Sequence, residues 1–544
     1  MKFVTMTGAE ALIKALKSEE VEVIFGYPGA ANAPIYDALS RGGIRHILPR
    51  GEQAAAHEAS GYAVASGKVG VCMATSGPGA TNLVTGIANA YSDSIPIVAI
   101  TGQVDSQMIG RDVFQEVDIT GATAPFCKHS YLVNDAAHLP KIVKEAFYIA
   151  STGRKGPVLI DIPIDVAMAE FEYSTPKMVN IRGYKPTLKG HSLQIKKVRD
   201  AIAEAKAPII IAGGGVGSAG ASVSLADFAK RYNLPVVTTL MGINHTAECG
   251  DLLLGMIGTH GVGAANLAVK ESDLIIVIGA RLGDRAYTSV HTHNPDIKII
   301  HIDIDPAEIG KNVGTHIPVV GDIKVILSQI NEKDIPCDII GNSKRLKSLA
   351  ERRDRPERYS EALGGANPRL AMKMLTEMTD GGAIVVTEVG QNQIWAANNY
   401  KPSVSGGFIT SGGLGTMGFG LPAAIGAKLA QPQKTVVAVA GDGSFQMSLN
   451  ELATIKQWDI PIKIILFNNS RLGMVRELQK NGYNSNYFAV EIDSPDFMLL
   501  AQAYGLESGM VTSNEELEAG LERLLRDDKP YLLEIKVDSE EGTL

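Results

Sequence analysis

Short apolar, β-branched runs alternate along the chain with longer stretches of mixed polarity, and they do so in three blocks. In the first block VEVIFGYPG, GVCMATSGPG, IPIVAITG and GPVLIDIP read as strands, most of them followed by glycine, and IRHILP has a strand-like pattern too. GEQAAAHEASGYAVA and ATNLVTGIANAYSD lie between some of them and carry helical patterns. The second block repeats the alternation with APIIIAGGG, LPVVTTL, DLIIVIGA, KIIHIDIDP and IPVVGD, and the third with AIVVTEVG, TVVAVAGDG, IPIKIILFNN and YLLEIKV. Continuous apolar strands interleaved with helices predict parallel sheets covered on both faces. Polar segments, about Glu172 to Gly190 and SKRLKSLAERRDRPERYSE, separate the blocks. The predicted class is α/β, with three open parallel-sheet domains at residues 1–171, 191–340 and 365–544 and linkers at 172–190 and 341–364. The opening MKFVTMTGAEALIKALK reads as leading straight into an amphipathic helix, so neither a signal nor a transit peptide is expected.

The chain has 544 residues, and its formal charge of −8 argues against nucleic acid or an anionic membrane as the main partner. No apolar run reaches the length of a bilayer span. Cys72, Cys127, Cys249 and Cys337 lie far apart, so neither a disulfide framework nor a zinc knuckle is expected. A reducing, cytoplasmic location follows as the expectation.

In open parallel sheets ligands bind beyond the carboxyl ends of the strands. There, after TVVAVA, stands Gly441-Asp442-Gly443-Ser444; a helix from about Leu449 to Gln457 and a further strand lead to Asn468-Asn469. Such a crossover returns the chain to the same sheet edge, so Asp442 and Asn469 finish on one rim with two oxygen donors for a hard cation. Glycines there let backbone amides approach a diphosphate, although GDG alone also reads as a tight turn. Glu52 opens a predicted helix, where the helix dipole favours an acidic residue whatever its function. Gly215-x-Gly217-x-x-Gly220 is a formal dinucleotide fingerprint, but LPVVTTL lacks the acidic residue that would bind ribose, and a plain structural turn fits equally well.

These motifs, together with RGEQAAAHEASGYA, TSGPGATN, ITGQV, FQEVDITG, KHSYLV, GARLGDR, HIDIDPAEIGKN, VGQNQIWAA, TSGGLGTMGFGLPAAIGA and LGMVREL, resemble the large catalytic subunit of the acetohydroxyacid synthase (acetolactate synthase) family, over nearly the whole chain. The resemblance implies a pyrimidine-binding, a central and a diphosphate-binding domain, of the thiamine diphosphate enzyme type. It implies decarboxylation of pyruvate on thiamine diphosphate and condensation of the hydroxyethyl fragment with a second 2-keto acid, pyruvate or 2-ketobutyrate, in branched-chain amino-acid biosynthesis. Another thiamine diphosphate carboligase, decarboxylase or pyruvate oxidase on the same scaffold is the alternative.

By the same resemblance Glu52 matches the glutamate of RHEQ that contacts the cofactor pyrimidine, with Gly51 in place of the histidine. Met417 matches the methionine that bends the cofactor, with Gly415 beside it. Gln391 and Asn392 match a Gln-His pair near the diphosphate, where Gly441, Gly443 and Ser444 are also implied. Asp442, Asn469 and the carbonyl of Arg471 match the magnesium ligands. Gly29, Ala30, Phe114, Gln115 and Lys128 match residues of the substrate channel, and Arg285 matches an arginine suited to a 2-keto acid carboxylate. Leu478 stands where the family's LGMVRQW has a tryptophan that favours 2-ketobutyrate, and Asp105 replaces a proline. FAD, without a net redox role, is implied at Gly213, Gly214, Gly215, Thr239, Leu240, Met241, Gly258, His260, Arg281, Asp303 and Asp322. LGDR replaces FDDR there, and Thr259 replaces a methionine. The implied partners are further copies of the chain, as a homodimer or homotetramer, and a possible small regulatory subunit; neither nucleic acid nor membrane is among them.

Overall fold

The apolar runs form the inner strands of three six-stranded sheets, each parallel throughout. A computed structural model of the chain describes residues 4–176, 178–287, 297–354 and 364–543. The first sheet runs Arg45–Ile47, Val23–Gly26, Gly70–Ala74, Ile97–Gln103, Val158–Pro163, His129–Leu132. The third has the same order of strands, Phe408–Ile409, Ile384–Thr387, Val436–Gly441, Lys463–Asn468, Tyr531–Lys536, Glu507–Val511. The central sheet differs: Leu253–Met256, Val236–Thr238, Pro208–Ala212, Leu274–Ile278, Lys298–Asp303, Ile317–Val320. That arrangement steps outward from its first strand and then reverses, the order of dinucleotide-binding folds, with a crevice between Pro208–Ala212 and Leu274–Ile278.

Every inner strand falls on a predicted run. In the three large sheets the strands missing from the prediction, His129–Leu132, Leu253–Met256, Phe408–Ile409 and Glu507–Val511, are all sheet edges. An edge has solvent on one side, so HSYL and ESGMV mix polar with apolar residues and lose the continuous signature. Two expectations are corrected. The chain begins its described part with a strand, Val4–Thr7, paired antiparallel with Glu170–Tyr173, and only then enters the helix Gly8–Ser18, capped by Thr7 and Glu10. The expected linker, from residue 341, opens instead inside the helix Ile339–Arg353, which packs on the central domain: Leu349 is buried and Arg345 donates to the carbonyls of Pro208 and Ala268. The rest of that linker lies largely outside the described residues.

The first and third domains meet along the helices Glu52–Ser66 and Gly420–Ala430. The two backbones touch: a Cβ at Gly61 would collide with the Ala423 carbonyl, and one at Gly426 with that of Glu58. Glu58 is sealed into this contact, and neither carboxylate oxygen meets a hydrogen-bond partner among the described residues. Burial pushes its pKa well above the ordinary carboxylate value, the charge of Glu451 adds to the rise, and Arg50 opposes it. The folded chain thus holds this proton more tightly than the unfolded one, and stability falls as pH rises from about 4.5 toward the folded pKa. Glu58→Gln should remove that loss. We expect the stability of the variant relative to the parent to rise from pH 5 to pH 8, by at most about 1.4 kcal/mol per pH unit, as read by thermal melts at both values.

Candidate active site

At the first domain's rim the chain leaves strand Arg45–Ile47, passes an extended Gly51 and enters the helix headed by Glu52. Arg50 ties this entry to the third domain, its N–H bonding both oxygens of Glu451 (2.9 and 3.1 Å) and its guanidinium bonding Gln457 (2.5 Å). The Glu52 carboxylate accepts from Asn82 Nδ2 at 3.0 Å. It also faces Gly79, where an added Cβ would lie 3.3 Å from Oε1. Gly29, with Ala30 next to it, packs on Thr75, and Gln115 packs on Gly77. Glu52, Gly29, Ala30 and Gln115 therefore gather around one loop, residues 75–79. Phe114, next to Gln115, is 84% exposed.

Lys128 bonds the first domain's own backbone. Its ammonium donates to the carbonyls of Ile149 and Thr152 and to the Tyr184 hydroxyl (2.7 and 2.9 Å for the last two). It closes the end of the helix Leu139–Ser151, where a cation meets unpaired carbonyls, and is not turned to the Glu52 loop. Burial lowers its pKa to about 8.

In the third domain, Gly441–Asp442 and Asn468–Asn469 end neighbouring strands, as the crossover predicts. Asp442 is buried and accepts from the Ser494 hydroxyl at 3.0 Å. Burial raises its pKa to about 6 against the opposing Ser494 bond, and a cation set against it would hold it ionised. Asn469 donates to Gln391 Oε1 (2.9 Å) and accepts from the Arg471 N–H (3.2 Å). Gln391 in turn donates to Glu477 (2.7 Å) and the Glu541 carbonyl (2.9 Å). Among the described residues no cluster of three or more His, Cys, Asp or Glu gathers to hold a metal. One carboxylate with amide and carbonyl oxygens leaves a divalent cation to complete its shell from a ligand, which is how magnesium sits on a diphosphate. The Ser444 hydroxyl bonds back to Gly441 (3.2 Å) and tightens the turn that begins at Asp442.

Asn392, expected to donate toward the diphosphate, spends its amide on the carbonyls of Glu388 (3.1 Å) and Val439 (3.0 Å). It braces the strand ends from beneath. Gly415 and Met417 stand in the segment between Ile409 and the helix Gly420–Ala430; Gly415 has φ +70° and Met417 is half-buried. The Arg471 side chain bonds Glu491 (3.3 Å) and the Ser470 carbonyl (3.0 Å).

A cavity of about 1010 Å³ opens where the three domains meet, over the crevice of the central sheet. Of the expected flavin residues, Gly214, Gly215, Thr239, Leu240, Met241, His260, Arg281, Asp303 and Asp322 line it; Gly213 and Gly258 stand behind its wall. Gly217 of the fingerprint does other work, since a Cβ there would collide with the His245 ring. Arg281, Lys155 and Lys311 bring cations to the cavity, and Asp303 and Asp322 bring carboxylates at strand ends. Cations for a pyrophosphate and carboxylates for ribose hydroxyls, in a volume at the upper end for small-molecule sites, fit a dinucleotide such as FAD. Arg285 and Leu478 line the same cavity. Leu478 belongs to the helix Gly473–Gly482, whose first residue abuts Gln391 and Asn469, so one helix borders both the metal rim and the cavity.

Sequence reasoning missed Asn82, Ser494 and Glu477, whose partners are distant along the chain.

Three family models match: thiamine pyrophosphate enzyme, N-terminal TPP binding domain (residues 6–122), central domain (195–330) and C-terminal TPP binding domain (388–535). The chain is 46% identical to a probable acetolactate synthase large subunit of Methanocaldococcus jannaschii, over 99% of its own length and 93% of the relative's. It is 43% identical to the acetolactate synthase isozyme 2 large subunit of Escherichia coli K12, over 99% and 96%. With the acetolactate synthase large subunit of Lactococcus lactis it shares 43% identity over 99% and 94%.

Proposed function

The chain belongs to the thiamine pyrophosphate enzymes, and from that premise we propose how its residues carry out the acetolactate synthase reaction. The activity is that of a thiamine diphosphate-dependent carboligase: two pyruvates give 2-acetolactate and CO2. With 2-ketobutyrate as the second substrate the product is 2-aceto-2-hydroxybutyrate. When bound, thiamine diphosphate supplies a C2 position that stabilises the negative charge left by loss of CO2.

Glu52 holds and exchanges a proton with the pyrimidine ring, and the Asn82 amide fixes which way its carboxylate faces. Asp442, the Asn469 amide oxygen and the Arg471 carbonyl would hold magnesium, whose charge would neutralise the diphosphate. Gln391, Gly441, Gly443 and Ser444 shape that site, and Met417 supports the bend of the cofactor. Gly29, Ala30, Phe114 and Gln115 wall the approach to C2, and Arg285 receives a substrate carboxylate. The lining of the three-domain cavity, Arg281, Asp303 and Asp322 among it, would hold FAD, without a net redox role.

A second copy of the chain completes the site. Side chains left bare at both rims support this reading: Phe114 (84% exposed) beside the Glu52 loop and Met447 (60%), whose N–H bonds the Ser444 carbonyl in the turn after Asp442. The relatives are named as large subunits, and a small regulatory chain is the matching partner. No helix of the described residues is long and apolar enough to cross a membrane, in keeping with the cytoplasmic location we infer.

The observation that carries the assignment is the pairing of Asp442 and Asn469 on adjacent strand ends in a chain matched along its whole length. Purified chain with thiamine diphosphate and magnesium should convert pyruvate to acetolactate without any electron acceptor. A dependence on an acceptor would make it an oxidase, and absence of acetolactate would end the proposal. Leu478→Trp should raise the ratio of 2-aceto-2-hydroxybutyrate to acetolactate about tenfold in mixed-substrate assays, the effect expected of added apolar contact with one extra methylene.

A further inference from the structure

The segment between Ile409 and Gly420 has no regular secondary structure and contains Gly412, Gly413, Gly415 and Gly418. So glycine-rich a stretch has many accessible shapes, and ordering it costs conformational entropy that its own side chains do little to offset. Its shape is set from outside, by two anchors on either side of Met417.

The first anchor is Glu388, just past strand Ile384–Thr387 and buried at 1% exposure. Its Oε2 accepts from the Gly418 N–H at 2.8 Å; its Oε1 accepts from the N–H groups of Gly420 (2.8 Å) and Leu421 (3.3 Å). One carboxylate thereby fixes the turn after Met417 and caps the helix Gly420–Ala430. The second anchor comes from another domain, the helix Val84–Ser92 and the residue that ends it. Asn89, fully buried, accepts from the hydroxyls of Ser411 (2.5 Å) and Thr416 (3.0 Å), and Thr416 N–H closes onto Ser411 Oγ at 3.0 Å. One helical turn later Asp93 accepts from the N–H groups of Gly412 (3.3 Å) and Gly413 (2.6 Å). Thr416 and Gly418, the neighbours of Met417, are thus held by opposite anchors.

Holding two acids against a flexible loop, Glu388 fully buried and Asp93 half-buried at the edge of the three-domain cavity, is costly, and desolvation raises Glu388 to about 7 and Asp93 to about 6. A site chosen for stability alone has cheaper solutions. We propose that Glu388, Asn89 and Asp93 are positioning residues for the reaction, setting the backbone on both sides of Met417 so that its side chain meets the bound cofactor at one fixed angle. The proposal deepens the reading of Met417 given above and rests on it.

The test uses the full chain with Glu388→Gln and Asp93→Asn, which preserve side-chain size. In both variants without added cofactor, amide hydrogen exchange of peptides spanning 411–421 should speed up about tenfold or more. At saturating thiamine diphosphate and magnesium, kcat should fall about 10- to 100-fold, the cost of a small misplacement, with KM for pyruvate changed less than about threefold. The rate at which bound thiamine diphosphate exchanges its C2 proton for deuterium, read by NMR after acid quench, should fall in parallel. Glu388→Gln should add little to Met417→Ala in a double-variant cycle, because the first acts through the second. If Met417→Ala slows C2 exchange but neither Glu388→Gln nor Asp93→Asn does, the anchors merely hold domains together and the proposal fails. If Met417→Ala itself leaves C2 exchange unchanged, the role given to Met417 falls first and takes the proposal with it.

Discussion

Glu52→Gln should leave thiamine diphosphate bound with nearly unchanged affinity and lower kcat for acetolactate formation by about 100- to 10,000-fold. The substitution keeps the side chain's length and can still accept from Asn82, whose amide lies 3.0 Å from the carboxylate. What it loses is the capacity to take and return a proton. The C2–H of the cofactor is a weak acid, and its removal at neutral pH depends on a relay through the pyrimidine that a neutral amide cannot serve. The diphosphate anchor belongs to the third domain, so binding and proton transfer are separable in this chain. Calorimetry with magnesium present gives the affinity, and steady-state rates with the C2 deuterium exchange of bound cofactor give the chemistry. A variant within tenfold of the parent in kcat would remove Glu52 from the mechanism. Asn82→Ala should show a milder version of the same defect, since the carboxylate survives but loses the partner that aims it.

The inner frame of this fold is legible in its sequence because buried parallel strands admit almost nothing but apolar residues. ILFNN and VAVAGDG give both the strand and the point where it stops being buried, and that point is where Asp442 and Asn469 stand. Four of the six sheet edges were hidden for the opposite reason: ESGMV, for one, pairs on one side only, and its composition answers to solvent as much as to the sheet. Placement of a side chain in a motif is less legible still. Lys128 sits in a stretch that matches a channel lining, yet its ammonium is claimed by the end of a helix that begins eleven residues further along the chain, at Leu139. Asn392 likewise gives its donors to the carbonyls of Glu388 and Val439. The anchors on Met417 carry no periodic signal at all. Asn89 and Ser411 lie 322 residues apart, and nothing local distinguishes Asn89 from an ordinary polar position on a helix. The residues expected to meet a flavin show the reverse case, since those that line the cavity converge on a crevice fixed by strand order, which the alternation of elements already implies.

Asp442→Ala should weaken magnesium-dependent binding of thiamine diphosphate about 100-fold or more, and with it abolish activity at ordinary cofactor concentrations. Magnesium gives up its water reluctantly and needs a charged oxygen to hold it while the diphosphate supplies the rest. The other protein donors assigned here, the Asn469 amide and the Arg471 carbonyl, are neutral, so removing Asp442 leaves the cation without an anionic protein ligand among them. Asp442 is also the costly member of the set, buried to 1% exposure with its pKa raised to about 6. Without a cation that carboxyl is partly protonated near neutrality, and binding magnesium must release the proton. Affinity in the parent should therefore rise as pH increases from 5 to 7, by up to about tenfold per pH unit below the carboxyl pKa. Asp442→Ala should flatten this dependence, whereas Asn469→Ala should weaken binding yet keep the slope. Titration calorimetry of thiamine diphosphate at fixed magnesium, run at pH 5, 6 and 7 on all three proteins, decides the matter. A parent and an Asp442→Ala variant with equal affinities would place the metal elsewhere.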